Sequence, residues 1–419
     1  MRAVGLITEY NPFHNGHLHH LQESRKAADA EVAVAVMSGH FLQRGEPALV
    51  DKWVRTRMAL AAGVDVVVEL PFPWACNSAP RFAEGAVRSL DALGGLDAIC
   101  FGSEAGELGI LQAGAELLLQ HEGELVRRTS SLLRSGLTYP DARAQVLAQL
   151  AENAGVAELL RSPNNILGIE YLKALRQTGS ALSPLTIPRI GAGYHDLEAV
   201  GALASATGIR RLLAEDAAVT PFLPEPVHAV LKQALDAGHA VADENLHRLL
   251  LARIGRGATS LVPLYQVEEG IENRLVAAAD TSRSYRELVD AVKARHFTRT
   301  RIQRLLCYIL NEVEREEMSE FLAVGPLYLH LLGCTKRGRA FLAVCRKRLS
   351  LPLIANYSRL HAALKRHYGP QGARYRLAER MLALEMRATR NYTLLMKKWD
   401  GGSRNRDFFE EMRSEGDGV

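Results

Sequence analysis

The chain has 419 residues, 47% of them hydrophobic and 23% charged, with a formal net charge of +4; this excludes disordered and fibrous classes and suits a soluble two-domain globular protein. No stretch approaches the ~18 consecutive apolar residues of a membrane span, and Glu9 cuts the apolar opening short of a signal-peptide core, so a cytosolic protein with no membrane partner is expected. Cys76, Cys100, Cys307, Cys334 and Cys345 are scattered and never form a C-x-x-C pair, which reads as reduced core thiols and gives no metal site.

The first half alternates short β-branched runs with amphipathic helical stretches, the pattern of parallel strands joined by crossover helices. Strands are expected at Ala3–Thr8, Val32–Met37, Asp65–Leu70 and Ala98–Phe101. Between them fall helices at Gly16–Ala28, Asp51–Ala62 and Ala79–Leu93, with Asp51 as an N-cap and Gly63 as a stop. A helical insertion over Leu108–Leu160, a helix at Pro163–Arg176 and a fifth strand at Leu185–Pro188 complete an α/β fold, a doubly wound parallel sheet over residues 1–200. From Ser205 onward helical periodicity dominates, with no convincing strand series. Residues 201–400 therefore read as a second, mainly α-helical domain, and residues 401–419, which lack a hydrophobic stripe, as a flexible tail.

Charge is regional. Leu331–Lys398 holds sixteen basic residues against Glu379 and Glu385, a local +14 that leaves the remainder of the chain net acidic by ten. Such a segment is either a solvated helical face or a polyanion-binding surface. Tyr357, His367, Tyr368, Tyr375 and Tyr392 among the cations favour RNA, whose unpaired bases stack on such rings. A second basic run, Lys293 to Arg304, enters an amphipathic helix that Thr298 can cap. It leaves arginines in the first turn, where the helix dipole disfavours them unless an anion is bound. Arg295, Arg299, Arg301, Arg304, Lys336 and Arg337 are the candidate RNA contacts.

The element that carries chemistry follows the first strand: Ile7-Thr8-Glu9-Tyr10-Asn11-Pro12-Phe13-His14-Asn15-Gly16-His17-Leu18-His19-His20. It places H-x-G-H at a strand-to-helix junction, where helix amides and the positive dipole end favour phosphate. Gly16 allows close backbone approach, and His14 and His17 can both face a bound triphosphate. Charge developing on the α-phosphate during in-line attack would be stabilised there by positioning and electrostatics. A histidine-rich surface turn is the competing reading.

The H-x-G-H element resembles the signature of the nucleotidyltransferase superfamily. More narrowly, Glu9 to His17, followed by Met37-Ser38-Gly39-His40-Phe41-Leu42-Gln43-Arg44-Gly45-Glu46-Pro47-Ala48, resembles the bacterial tRNA(Met) cytidine acetate ligases. The likeness continues through Asp51 to Arg55, Val68 to Pro71, Phe101 to Glu104, Ser162 to Gly168 and Phe297 to Ile302, and so spans most of the chain. The resemblance implies an enzyme that activates acetate with ATP as acetyl-adenylate and acetylates N4 of the wobble cytidine of elongator tRNA(Met). It implies an ATP site made of Ile7 to His20, Gly102, Asn164 or Asn165, and Arg189.

Gly102 lies where a strand end meets the crevice, the asparagines open a helix, and Arg189 can clamp a phosphate. The segment Ser38–Arg57 adds Arg44 and Lys52, placed with His14 and His17 as catalytic candidates over the crevice. Mg2+ is expected to arrive with the nucleotide, since no carboxylate cage is evident, and no coenzyme A signature is present. A small-molecule adenylyltransferase and a non-catalytic nucleotide-regulated RNA-binding protein remain alternatives.

Overall fold

The computed structural model describes residues 1–150, 159–160, 162–189, 203–268, 270–294 and 297–409. Seven strands, β1 (Ala3–Thr8), β2 (Val32–Ser38), β3 (Val66–Leu70), β4 (Ala98–Ser103), β5 (Ser183–Pro188), β6 (Leu329–Cys334) and β7 (Leu353–Ile354), form one sheet in the order β5-β4-β1-β2-β3-β6-β7. The first five are mutually parallel. The chain steps outward from β1 through β2 to β3, then returns to lay β4 on the other side of β1. A crevice opens at such a reversal, beyond the carboxyl ends of β1 and β4.

Alternation along the strands divides the core. Val32, Val34 and Val36 face one apolar cluster with Val68, Leu90 and Phe101, while Ala33, Ala35 and Met37 face another with Val4, Leu6 and Val67. Both faces are covered, as a parallel sheet requires.

Helices α1 (Asn15–Ala27), α2 (Lys52–Ala61) and α3 (Ala79–Leu93) make the crossovers. Asp51 caps α2 by accepting from Val54 N at 2.7 Å, as the sequence predicts, and Gly63 follows with φ +101°. The helical insertion comprises α4 (Leu108–Gln120), α5 (Glu122–Arg134) and α6 (Tyr139–Leu150), and α7 (Pro163–Thr178) leads into β5. All five cysteines are free and buried. No helix among the described residues is long and apolar enough to cross a membrane.

Two expectations for the second half fail. The sheet does not end at β5: β6 pairs antiparallel with β3, setting Glu69 opposite His330 and Val66 opposite Cys334, and β7 pairs parallel with β6. Leu329–Cys334 is buried throughout. A short continuous apolar run of this kind has no period that separates a buried strand from a helical segment. Nor do residues 401–409 fray. Ser403 and Asp407 are buried, and Phe408 packs against the core. Charge pairing with α2 holds the segment in place of a hydrophobic stripe: Asp407 Oδ1 lies 2.9 Å from Lys52 Nζ, and Arg406 donates to Asp51 at 2.6 Å. Residues 410–419 lie outside the described residues.

Candidate nucleotide site

The β1–α1 loop is shaped by packing and by main-chain hydrogen bonds. Tyr10 adopts φ +50°, a region costly for a large side chain, and its buried ring is held 4.7 Å from Phe13 and 5.1 Å from His17. Asn11 Oδ1 accepts from Leu49 N at 2.7 Å, and Arg210, from helix α8 (Ala206–Ala214), donates to the Asn11 carbonyl at 2.9 Å. Glu9 accepts from Gln43 N at 2.8 Å, and burial raises its carboxyl pKa. Asn15 donates to the Pro221 carbonyl at 3.0 Å.

His14 is the N-cap of α1. Its Nδ1 accepts from Gly16 N at 3.0 Å, and His17 Nδ1 accepts from His14 N at 3.3 Å, a reciprocal capping box built from histidines. The rings stack with centroids 3.8 Å apart. An imidazole that accepts at Nδ1 is neutral and carries its proton on Nε2. Burial supports this state, lowering His14 to about 3 and His20 to about 4, with the Arg189 charge adding to both shifts; His17 is lowered in the same way, with His14 as a further cause. The motif therefore presents two Nε2–H donors that stay neutral at physiological pH.

Gly102, Arg189 and His20 meet beside this pair. A Cβ on Gly102 would come within 3.3 Å of Arg189 Cγ and 3.7 Å of His20 Cδ2. His20 Nε2 is buried and has no hydrogen-bond partner among the described residues. Arg189 donates to Asn164 Oδ1 at 3.2 Å. Of the two asparagines, Asn165 is committed internally, accepting from Ala105 N at 3.0 Å, whereas Asn164 stays half-buried beside Arg189.

Glu104, quoted in the sequence without a role, organises this corner. It accepts from Asn164 Nδ2 at 2.6 Å, Asn164 N at 3.2 Å and Asn165 N at 2.7 Å, covering amides at the start of α7. Its signal was positional, one residue beyond the β4 terminus. The structure thus brings together the loop from Ile7 to His20, Gly102, Asn164 and Arg189 at the carboxyl ends of β1, β4 and β5.

The segment after β2 departs from expectation. Lys52 does not reach over the crevice. It is fully enclosed, with Nζ 2.9 Å from both Glu69 oxygens and 2.9 Å from Asp407 Oδ1. Burial alone would lower its pKa, but Asp407 and Glu69 outweigh that and hold the ammonium charged; Lys52 and His330 in turn keep Glu69 low. Glu385, buried near Glu69, is pushed the other way.

Arg55 is also fully buried and donates to the carbonyls of Glu9, Ser38, Gly39 and Val50. Arg44 is half-buried near Glu9 in a loop closed by the Phe41–Pro47 bridge. At Gly45, φ is +80° and a Cβ would fall 2.1 Å from Arg304 N, so the loop abuts helix α9 (Arg299–Leu310) with no room for a side chain.

The candidate RNA residues fall in two places. Thr298 caps α9 as predicted, accepting from Arg301 N at 3.3 Å. The dipole mismatch of its first turn is offset within the protein: Arg299 pairs with Asp290 at 2.5 Å and Arg301 with Glu268 at 3.6 Å. Arg304 donates to the Gln43 carbonyl at 3.3 Å, which puts α9 on the crevice side. Arg295 lies outside the described residues. Lys336 and Arg337 open helix α10 (Lys336–Cys345) at the opposite edge of the sheet, where Arg337 Nε is 2.8 Å from Asp65 Oδ1, ahead of β3.

Residues 1–407 match the family described as HIGH Nucleotidyl Transferase. The chain is 62% identical over 413 residues to the tRNA(Met) cytidine acetate ligase of Syntrophotalea carbinolica, covering 98% of each. It is 40% identical over 375 residues to the one of Bacillus velezensis, covering 87% of this chain and 89% of that protein. Among solved structures, Thermotoga maritima TmcAL bound with alpha-thio ATP superposes with a TM-score of 0.89 at 34% identity, covering 99% of each chain.

Proposed function

The chain belongs to the HIGH nucleotidyl transferase family and within it to the tRNA(Met) cytidine acetate ligases, and from that premise we propose that the β1–α1 crevice activates acetate on ATP. The protein is an ATP-dependent tRNA cytidine acetate ligase. In the proposed first step an acetate oxygen attacks the α-phosphate, the bond to the β-phosphate breaks, and acetyl-adenylate and pyrophosphate form. In the second, N4 of the wobble cytidine of elongator tRNA(Met) attacks the acetyl carbonyl, AMP leaves and the amine loses a proton, giving N4-acetylcytidine.

The observation that carries this reading is the histidine pair. Both Nδ1 atoms are occupied by main-chain amides, so Nε2–H of His14 and of His17 is the donor left for phosphate oxygens. Neutral donors held by a helix cap need no reorganisation as charge grows on the α-phosphate. Arg189 supplies the cation, Asn164 the polar edge at the mouth of α7, and the unpartnered His20 Nε2 a further contact for bound nucleotide.

Arg44, at the tip of the β2–α2 loop, is assigned to substrate; Lys52 is assigned to anchoring the carboxyl-terminal segment. Mg2+ would enter with the nucleotide to neutralise phosphate charge, and no group of three or more potential ligands among the described residues is assigned to it. Residues 201–400 provide the tRNA-facing surface, with α8 against the β1–α1 loop and α9 against the β2–α2 loop.

The test is transfer of radiolabelled acetate into tRNA with ATP and Mg2+, run beside His17→Ala. Label that requires ATP and is lost in the variant is expected. Unlabelled RNA with protein that still forms AMP-linked small molecules would replace the ligase reading with a small-molecule adenylyltransferase.

A further inference from the structure

We propose that α10 and the basic turn after it, at the edge of the sheet opposite the crevice, form a second tRNA surface that grips phosphates outside the anticodon arm. This rests on the tRNA ligase reading and extends it to a part of the substrate far from the reacting base.

Lys336, Arg337, Arg339, Arg346, Lys347 and Arg348 are all exposed, and no acidic residue lies between Thr335 and Ser350. Arg337 is matched by Asp65, whereas Lys336, Arg346, Lys347 and Arg348 have no carboxylate partner among the described residues. The helix that carries them is pinned. Thr335 caps it, accepting from Gly338 N at 3.1 Å, and Gly338 sits so close to β3 that a Cβ would fall 2.0 Å from the Asp65 carbonyl oxygen. Phe341 and Cys345 bury the inner face.

The outward face between the two cation groups is small: Ala340 and Ala343 are exposed, with Val344 at 61%. Cations at both ends of a low surface let a phosphodiester chain approach closely. At ~1.5 Å per helical residue the groups stand about 15 Å apart, a span that needs several phosphates rather than one. Like charges gathered without acids repel one another in the folded protein, and a polyanion that releases its counterions relieves this. α9, by contrast, has its first-turn arginines matched by Asp290 and Glu268.

Position selects the part of the RNA. β6 starts at the crevice edge and ends at Cys334, so α10 lies a strand length away, roughly 20 Å at ~3.3 Å per residue. The anticodon loop in the crevice cannot reach it, and the helical body of the tRNA must supply the phosphates.

The test compares wild type with Lys336→Glu/Lys347→Glu by fluorescence anisotropy on two probes, full-length tRNA(Met) and its isolated anticodon stem-loop. Acetate-dependent ATP–pyrophosphate exchange is measured alongside, as a readout of folding and of the crevice, and is expected to be unchanged. The variant should bind full-length tRNA about tenfold more weakly at moderate salt, with a log K against log salt slope shallower by about 2, and should bind the stem-loop as wild type does. Equal affinity of both proteins for full-length tRNA overturns the proposal, and so does an equal loss on both probes. Wild type that binds neither RNA would instead refute the ligase reading itself.

Discussion

Replacing Lys52 by Met separates an anchoring role from a catalytic one. The ammonium touches Glu69 and Asp407 at 2.9 Å, and all three groups are at most 3% exposed. At an effective dielectric of about 20, each contact is worth about 6 kcal/mol before desolvation, which offsets much of it. Removing the cation leaves Glu69 with His330 alone and Asp407 with the Thr389 hydroxyl, and the expected net loss is about 3–5 kcal/mol.

The sign with pH follows from Glu69. In the wild type its pKa is held below the ordinary 4.5, so its contribution is complete above that value and disappears only as pH falls further. Without Lys52 only His330 opposes the effect of burial on the same carboxyl, so its pKa rises and protonation is expected to stabilise the variant on going from pH 7.5 to 5.5. Urea unfolding at those two pH values should therefore show a large deficit at the upper one that narrows at the lower one. A deficit that stays constant or widens with acid refutes the electrostatic account. Unfolding identical to wild type together with a thousandfold fall in kcat would place the ammonium on substrate.

His14 has two separable duties, capping through Nδ1 and donating through Nε2. His14→Ala should lose about 1 kcal/mol of stability and at least ~100-fold in kcat, whereas His14→Asn should keep the cap and lose only the rate, read by thermal unfolding beside ATP–pyrophosphate exchange. Glu104→Ala frees the Asn164 and Asn165 amides at the mouth of α7. KM for ATP should rise about tenfold while kcat and tRNA affinity stay within about threefold, as measured in the exchange and anisotropy assays.

Most of the sheet was legible because its signals are local. β1 was read at its observed bounds and β2 to β5 within about two residues, and Asp51 and Gly63 marked the ends of α2 by their own chemistry. The H-x-G-H element was legible because a cap, a glycine and two histidines all lie within one turn. What escaped depends on partners distant in sequence. Lys52 looked like a crevice cation because nothing near it announces Glu69 or Asp407, the latter 355 residues away. The segment around Arg406 looked unstructured because its order comes from two charge pairs and not from periodicity. β6 was hidden by an apolar run with no readable period. Lys336 and Arg337 were grouped with α9 by charge alone, and only the antiparallel direction of β6 shows that they stand at the other edge.

The pairing of β3 with β6 also has a consequence for how the chain is made. β3 ends at Leu70 and β6 begins at Leu329, so a ribosome elongating at ~5–20 residues per second needs roughly 13–50 s to deliver the partner. Throughout that interval the nascent sheet ends in Val66-Val67-Val68, an apolar strand edge able to pair with another chain. Soluble yield should accordingly depend on how quickly translation crosses residues 71–328, or on a chaperone that shields that edge until it is closed.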